Sequence, residues 1–199
     1  MGCWMDEPRL GLRERNRART YAEITEAALG LFERQGFDAT TVDQICAAAG
    51  ISPATFFRYF ATKEDVLFTD EDASAGELVR AVAQRTDRST SSVSALAEPI
   101  VAFAQAMPGA TSPHSRLLTQ LVMTTPSLES RSLRIRLRWE RDVASQLAAE
   151  DGLSTPKLLH TAVASAAVSC LTSGLRHWPN SSPSALASLV REAFEHTIG

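Results

Sequence analysis

The sequence predicts an all-α protein. Apolar residues recur at three- and four-residue spacing along most of the chain, which is typical of helices with one buried face, and no convincing alternating strand pattern occurs. The content of 44% hydrophobic and 22% charged residues is ordinary for a globular protein. The 199 residues are enough for a small domain joined to a larger one, with cores that need neither disulfides nor metals.

The first predicted helix spans about residues 17–35. Ile24 and Leu31 belong to an apolar stripe along one face of this segment, and Gly36 follows as a residue suited to end the helix in the left-handed conformation. Residues 1–14 precede the helix and are expected to form a mobile basic arm.

Two short helices and a glycine turn are predicted next. Thr41 with a glutamine three residues later indicates a capping box, so a helix begins here and ends before Gly50. Ser52 followed by proline indicates the start of another helix, which runs to Phe60. Because longer helices are predicted on both sides, residues 41–60 have the organisation of a helix-turn-helix.

The remainder of the chain is also predicted to be helical. A fourth helix is expected to begin at Lys63, with Thr62 as its cap and acids in its first turn, and a polar loop is expected over residues 85–94. Further helices are predicted at 93–107, 114–125, 127–150, 155–175 and 183–197. The predicted divisions are a basic arm at 1–14, a helix-turn-helix domain at 15–62 and a second domain at 63–199.

The helix predicted at residues 52–60 has the residue pattern of a DNA recognition helix. Such a helix enters a major groove about 12 Å wide and needs an apolar underside with small or polar residues on its outer face. Phe56 and Phe60 share one face and are interpreted as core. The residues then predicted to meet DNA bases or phosphates are Arg17, Thr40, Thr41, Ser52, Ala54, Thr55, Arg58, Tyr59 and Lys63.

The local charge favours this interpretation although the net charge is −3. Five arginines crowd one segment against a single acid, namely Arg9, Arg13, Arg15, Arg17 and Arg19. Lys63 stands at a predicted helix start, where a cation opposes the helix dipole, and a bound phosphate would offset that cost. Two simpler alternatives stay open: Thr41 and Ser52 serve only as caps, and the arginines form a solvated helix start.

Short motifs occur in a fixed order between residues 12 and 68. They are ALGLFERQGF at 28–37, TTVDQI at 40–45, AAGIS at 48–52, TFFRYF at 55–60 and KE at 63–64. In this order the segment resembles the DNA-binding domain of the TetR family of bacterial regulators. The resemblance implies an N-terminal three-helix helix-turn-helix DNA-binding domain, a C-terminal helical ligand-binding and dimerisation domain, and binding to double-stranded operator DNA as a homodimer.

One residue departs from the pattern of that family. The family usually has a tyrosine whose hydroxyl meets a DNA phosphate where this chain has Phe57. A phenyl ring cannot donate that hydrogen bond, so Phe57 is retained only as a contact position and the neighbouring Tyr59 is a candidate to replace it. The variant TFFRYF is similar to a subgroup that includes mycofactocin-associated regulators, and the rest of the chain offers no further motif for that subgroup.

The C-terminal part is expected to dimerise and to hold a small-molecule effector. Small and apolar side chains on two helices would form a four-helix bundle with a second chain, or would pack within one chain. The predicted interface residues are Leu158, Ala162, Ser165, Ala166, Ser169, Leu186, Leu189, Val190, Ala193 and Phe194. The candidate walls of a pocket, each of which is otherwise plain core, are Phe103, Met107, Leu117, Leu121, Met123, Trp139 and Trp178.

Other classes of site are not expected. The three cysteines are far apart and the histidines lack metal-ligand spacing, which argues against disulfides and zinc and fits a reducing cytoplasm. No continuous run of about 18 apolar residues and no signal peptide is found, so no membrane partner is expected. No nucleophile–base pair, phosphate-binding glycine loop or pair of carboxylates in an apolar setting occurs, so neither an enzyme nor a cofactor is expected. Four arginines on neighbouring helical turns favour a solvated face, with contact to an anionic ligand or nucleic acid as the alternative: Arg131, Arg134, Arg138 and Arg141.

The sequence therefore predicts a cytoplasmic repressor that a small, hydrophobic molecule releases from its operator. Two recognition helices in a dimer must lie about 34–36 Å apart to enter successive major grooves. A ligand that tilts the fourth helix would change this separation so that the dimer no longer fits the operator. An activator or co-repressed regulator on the same scaffold, a helical enzyme, and an interaction module that has lost DNA binding are the alternatives.

Overall fold

The computed structural model describes residues 11–68, 71–107, 113–182 and 185–198, and the rest of the predicted arm, residues 1–10, lies outside them. Over the described residues the chain forms helices and no strand, which confirms the all-α class. The α-helices are α1 (Leu12–Gln35), α2 (Val42–Ala49), α3 (Pro53–Tyr59), α4 (Glu71–Ala83), α5 (Ala97–Ala106), α6 (Pro113–Thr124), α7 (Pro126–Glu150), α8 (Leu158–His177) and α9 (Leu186–Ile198).

The chain divides into two compact units after Leu67. In the first unit α1 packs on α2 and α2 packs on α3. The core between these helices contains Ile24, Phe32, Ile45 and Phe56, all of which are almost completely buried. These side chains form the core that holds α1, α2 and α3 together.

Helix α1 begins earlier than the sequence predicted. It starts at Leu12, because the backbone N–H of Gly11 donates a hydrogen bond of 3.0 Å to the Glu14 carboxylate, which also lies favourably at the positive end of the helix dipole. The prediction of a helix from about residue 17 was therefore wrong at its start. As a consequence Arg13 and Arg17 lie on a regular helix at fixed spacing.

The fourth helix was also placed wrongly. The segment at Lys63 forms only a single 3-10 turn over Glu64–Val66, and α4 begins at Glu71. Val66 and Phe68 are both buried although they are two residues apart. Positions two apart point to different sides of an α-helix, so an irregular segment buries both side chains where a continuous helix would not.

In the second unit, α8 lies against α7 and α9, and α5 packs on both α8 and α9. The segment Leu158–Asn180, which contains α8, is long and apolar enough to cross a membrane by length and mean hydropathy. Buried residues make up 56% of its most apolar window, as expected for a core helix. The sequence has no continuous apolar run here because serines, threonines and a histidine interrupt it.

Helices α4 and α7 are joined by ion pairs near the start of α4. Arg131 lies 2.6 Å from the Glu71 carboxylate and its guanidinium stacks 4.5 Å from the centre of the Phe68 ring. Arg138 pairs with Asp72. Two of the four arginines interpreted as a solvated face therefore bind α7 to α4. The sequence did not indicate this because the acids that pair with them lie 60 or more residues away in the chain.

Helices α8 and α9 approach each other closely at Gly174. A β-carbon placed on Gly174 would lie 2.5 Å from Cγ2 of Val190 and 3.1 Å from its backbone nitrogen. Both distances are shorter than van der Waals contact, so only glycine allows α9 to lie this near to α8. Sequence reasoning assigned close helix approach to Ala162, Ser165, Ala166 and Ser169 and missed this residue.

Replacement of Gly174 by alanine is expected to lower the free energy of unfolding by about 1–3 kcal/mol, because α9 must move away or Val190 must leave its rotamer. Gly76→Ala is the matched control, since no atom lies within 4 Å of a β-carbon at this α4 position. The control should gain about 0.5–1 kcal/mol from helix propensity. Urea unfolding monitored by circular dichroism measures both, and a stabilised Gly174→Ala variant would contradict the close packing.

Candidate nucleic-acid interface

Capping hydrogen bonds fix the start of α2. The Thr41 hydroxyl accepts from the backbone N–H of Gln44 at 3.2 Å, and the Gln44 side chain accepts from the N–H of Thr41 at 2.9 Å. Gln35, at the end of α1, donates to the same Gln44 oxygen at 2.9 Å. The predicted capping box is present, and it ties the start of α2 to the end of α1.

A glycine turn and a second cap place α3. Gly50 has a φ of 66°, a left-handed conformation that ends α2 and turns the chain. The Ser52 hydroxyl accepts from the N–H of Thr55 at 3.1 Å and caps α3, with Pro53 in its first turn. These local bonds set two short helices at an angle to each other, which is the helix-turn-helix geometry.

The underside of α3 is held by aromatic packing. Phe56 and Phe60 are 0% and 3% exposed, with ring centres 5.6 Å apart, and the Tyr21 ring of α1 lies 5.0 Å from Phe60. This packing leaves the opposite side of α3 to the surroundings. Predicted contact residues on α3 and its cap are exposed at Ser52, Ala54, Phe57 and Arg58, and partly buried at Thr55 and Tyr59.

Phe57 is the largest apolar group on this outer side. Its side chain is 56% exposed and meets the edge of the Phe56 ring at 5.5 Å between centres. An exposed phenyl ring offers an apolar surface and no hydrogen bond, as the departure from the family pattern led us to expect.

An open groove of about 420 Å³ lies between the start of α1 and the end of α3. Its lining residues are Arg13, Asn16, Arg17 and Thr20 from α1 and Arg58 and Tyr59 from α3. Among the described residues, the lining therefore carries three guanidinium groups and no acid. The Arg58 guanidinium lies 5.3 Å from the centre of the Tyr59 ring. Arginine forks, hydroxyls and an amide are the groups that bind phosphate oxygens.

Sequence reasoning placed Arg17, Arg58 and Tyr59 among the contact residues and counted Arg13 in the basic segment, but it missed Asn16 and Thr20. Arg13, Asn16 and Thr20 follow the three- and four-residue spacing of one helix face, together with Arg17. This spacing was a usable signal, but the helix was predicted to begin too late for the first two residues to be included.

Thr40 and Lys63 have bonding partners within the first unit. Thr40 is 1% exposed and its hydroxyl donates to the Gly36 carbonyl at 2.7 Å. The Lys63 ammonium donates to the carbonyls of Phe37 and Thr40, both at 2.8 Å, and lies 4.4 Å from the centre of the Phe37 ring. Both side chains thus hold the turn between α1 and α2. The predicted need of Lys63 for a phosphate is therefore absent, because backbone carbonyls already bind its ammonium.

The residues predicted to line an effector pocket lie in the second unit. Phe103, Trp139 and Trp178 are buried, and Phe103 meets Trp139 edge to face at 6.1 Å between ring centres. The side chains that are only partly buried are Met107, Leu117, Leu121 and Met123. The structure thus joins α5 and α7 through two of the predicted residues, and leaves the α6 side chains less completely packed.

The predicted dimer residues separate into two groups. Leu186, Val190 and Phe194 are 1%, 0% and 2% exposed because they point from α9 into the core of their own chain. Their assignment to an interface with a second chain was therefore wrong. Leu189 and Ala193 also pack partly against this core. The α8 residues face outward instead: Leu158, Ala162 and Ser169 are exposed, and Ser165 and Ala166 are partly buried.

Metal-ligating clusters of three or more His, Cys, Asp or Glu side chains do not occur among the described residues. Cys46 and Cys170 are buried free thiols. Burial, with the nearby Asp43 charge, raises the pKa of the Cys46 thiol, so it is kept in its unreactive protonated form.

Two family models match the chain. The one described as bacterial regulatory proteins of the tetR family matches residues 24–69, and the one described as the MftR C-terminal domain matches residues 90–197. The second match alone covers more than half of the chain and follows α5 to α9. The first contains the helix-turn-helix.

Individual proteins agree with these matches. A protein of Mycobacterium tuberculosis strain H37Rv, named as the mycofactocin biosynthesis transcriptional regulator MftR, is 27% identical over 95% of this chain and 93% of its own length. A TetR-family regulator from Syntrophomonas wolfei has a similar fold, with a TM-score of 0.64 at 14% identity over 92% of this chain and 97% of that one. FadR from Bacillus subtilis, solved with stearoyl-CoA, has a TM-score of 0.59 at 18% identity over 90% of this chain and 98% of that one.

The fold, the capped helix-turn-helix and the family matches lead to one assignment. The chain is a member of the TetR family of bacterial regulatory proteins, and is a transcriptional regulator and not an enzyme.

Proposed function

We propose that the chain is a homodimeric repressor that leaves its operator DNA when a small hydrophobic effector binds to the second unit. The observation that carries the DNA-binding part is the groove beside α3, whose described lining residues include three arginines and no acid. The sugar–phosphate backbone would lie along this groove while the outer side of α3 meets base edges. In this proposal residues 15–62 contain the DNA-binding domain, and 63–199 bind the effector and dimerise.

The second chain would be held through the outward face of α8. Leu158 is 86% exposed and Leu159 is 49% exposed, and Ala162 lies on the next turn. Small and apolar side chains on an exposed helix face favour close packing against a symmetry-related copy. A pair of such chains would present two recognition helices to one pseudo-palindromic operator.

The effector would act by shifting a conformational equilibrium. Helix α7 carries Trp139 among the predicted pocket residues and is fastened to α4 through Arg131 and Glu71. A ligand that displaces α7 would therefore displace the start of α4, and with it the spacing of the recognition helices. Release requires that the ligand bind the state that does not fit DNA more tightly than the state that does. The stearoyl-CoA complex of the neighbour FadR supports an effector with a long apolar chain.

The test is binding of the full chain to a labelled duplex carrying the gene's own upstream region, followed by fluorescence anisotropy. We expect nanomolar affinity, at least about a thousandfold above a shuffled duplex, and a linear decrease of log K with log salt. Stearoyl-CoA is the first effector to try and should lower the affinity. Sedimentation velocity should give the mass of a dimer. Equal binding to both duplexes, a monomer, or an effector that tightens binding would contradict the proposal.

A further inference from the structure

We propose that the indole N–H of Trp139 donates a hydrogen bond to the effector, which must then carry an uncharged acceptor such as a ketone, ester or thioester carbonyl on an otherwise apolar body. This inference rests on the proposed function, since it names the chemistry that the effector site recognises. It concerns a residue that positions the ligand, and it does not depend on how DNA is bound.

Trp139 is a buried donor for which the described residues provide no acceptor. Its side chain is in the core, at 7% exposure, and the Nε1 atom is inaccessible and has no hydrogen-bond partner in the structure. Indole nitrogens only donate, so Trp139 has no second way to satisfy this atom. Buried Trp N–H groups usually have a partner, because leaving a donor unpaired is unfavourable.

The other buried polar atoms without a hydrogen bond are of a different kind. They are Nε of Arg85, Nε of Arg136 and one carboxylate oxygen of Glu150. Each belongs to a side chain that takes part in an ion pair, Arg85 with Glu150 at 2.7 Å and Arg136 with Glu140 at 3.4 Å. Trp139 has a single polar side-chain atom and no ion pair, and in this it differs from the other described side chains that have a buried atom without a hydrogen bond.

Trp139 belongs to the apolar core of the second unit. The Phe103 ring meets it edge to face, and Met107, Met123 and Ile135 are partly buried hydrophobic side chains that pack against the same core. Flexible methionines that are not fully packed can move to admit a ligand. A site with apolar walls and one uncharged donor selects an apolar molecule with one acceptor, and disfavours a cation or a group that can only donate.

The experiment compares two probes that differ only at the acceptor, 2-nonanone and 2-methyl-1-nonene, in which a methylene group replaces the carbonyl oxygen. Full-length wild-type chain, Trp139→Phe and Trp178→Phe are titrated with each, and the indole N–H signals are followed by ¹⁵N-correlated NMR. The signal of Trp139 is the one missing in Trp139→Phe. Circular dichroism checks that both variants are folded.

The wild-type chain should bind the ketone about two- to tenfold more tightly than the alkene, the range expected for one uncharged hydrogen bond, and the ketone should move the Trp139 signal downfield. Trp139→Phe should reduce the ratio to about one, and Trp178→Phe should leave it unchanged. An equal ratio in wild type and Trp139→Phe, no shift of the Trp139 signal, or no binding of either probe would overturn the inference. If operator binding and its release by stearoyl-CoA are intact in Trp139→Phe, this inference alone fails and the proposed function stands.

Discussion

Replacement of both Arg17 and Arg58 by glutamate is expected to lower operator affinity by at least about a hundredfold at physiological salt. Both guanidinium groups line the groove between α1 and α3, and hydrogen bonds to charged groups contribute about 1.5–3 kcal/mol each. The variant loses two such groups and places two carboxylates near phosphate. Fluorescence anisotropy with the upstream duplex measures the loss.

The salt dependence identifies the cause of that loss. Each lost phosphate contact should reduce the slope of log K against log salt by about 0.9, so a dimer lacking four contacts should show a reduction of about 3–4. The matched control is Arg34→Glu with Arg80→Glu, which changes the net charge equally at exposed positions outside the groove. If the control weakens binding as much as the groove variant does, net charge and not the groove governs affinity.

Replacement of Glu150 by glutamine is expected to lower the free energy of unfolding by about 3 kcal/mol. The Arg85 side chain is 1% exposed, and it lies 2.7 Å and 3.0 Å from the two Glu150 oxygens. Removing one partner of a buried ion pair leaves the other charge uncompensated in the core, which is more costly than the pair itself is stabilising. Urea unfolding at neutral pH measures the effect.

The control is Glu98→Gln, because the Glu98–Arg191 pair is exposed, with side-chain exposures of 74% and 47%. This variant should lose less than about 1 kcal/mol. A loss similar to that of Glu150→Gln would show that burial of the pair has no special importance.

The acid dependence of stability should differ between wild type and Glu150→Gln. Burial raises the pKa of Glu150, but hydrogen bonds from Arg85 and Gln146 and the arginine charges outweigh burial, so the pKa lies below its ordinary value. A depressed pKa stabilises the fold above the unfolded-state pKa of about 4.3, and this contribution disappears as the pH falls through the folded-state pKa. The wild-type chain should therefore lose stability more steeply than the variant as the pH falls from about 5 to 3.

Features set by neighbouring residues could be predicted from the sequence. The caps at Thr41 and Ser52 depend on hydrogen bonds to residues three positions away, and the underside of α3 depends on Phe56 and Phe60 four positions apart. Because such short-range patterns determine the local geometry, the helix-turn-helix was predicted correctly.

Features set by distant residues could not be predicted in this way. The Lys63 ammonium is bound by carbonyls 23 and 26 residues earlier in the chain. The α9 stripe at Val190 is apolar whether its own chain or a second chain covers it, so the sequence alone did not distinguish the two. The α4–α7 pairs of Arg131 and Arg138 similarly depend on acids brought near by the fold.

The Lys63 ammonium has partners within the protein, and this affects how it can take part in binding to DNA. It is already bound by the carbonyls of the turn between α1 and α2. At least two of its donors are therefore already used within the first unit. Acetylation of this lysine would remove its charge and two of its donors. It would therefore change the conformation of the helix-turn-helix, and would affect the attraction of this domain to phosphate only indirectly.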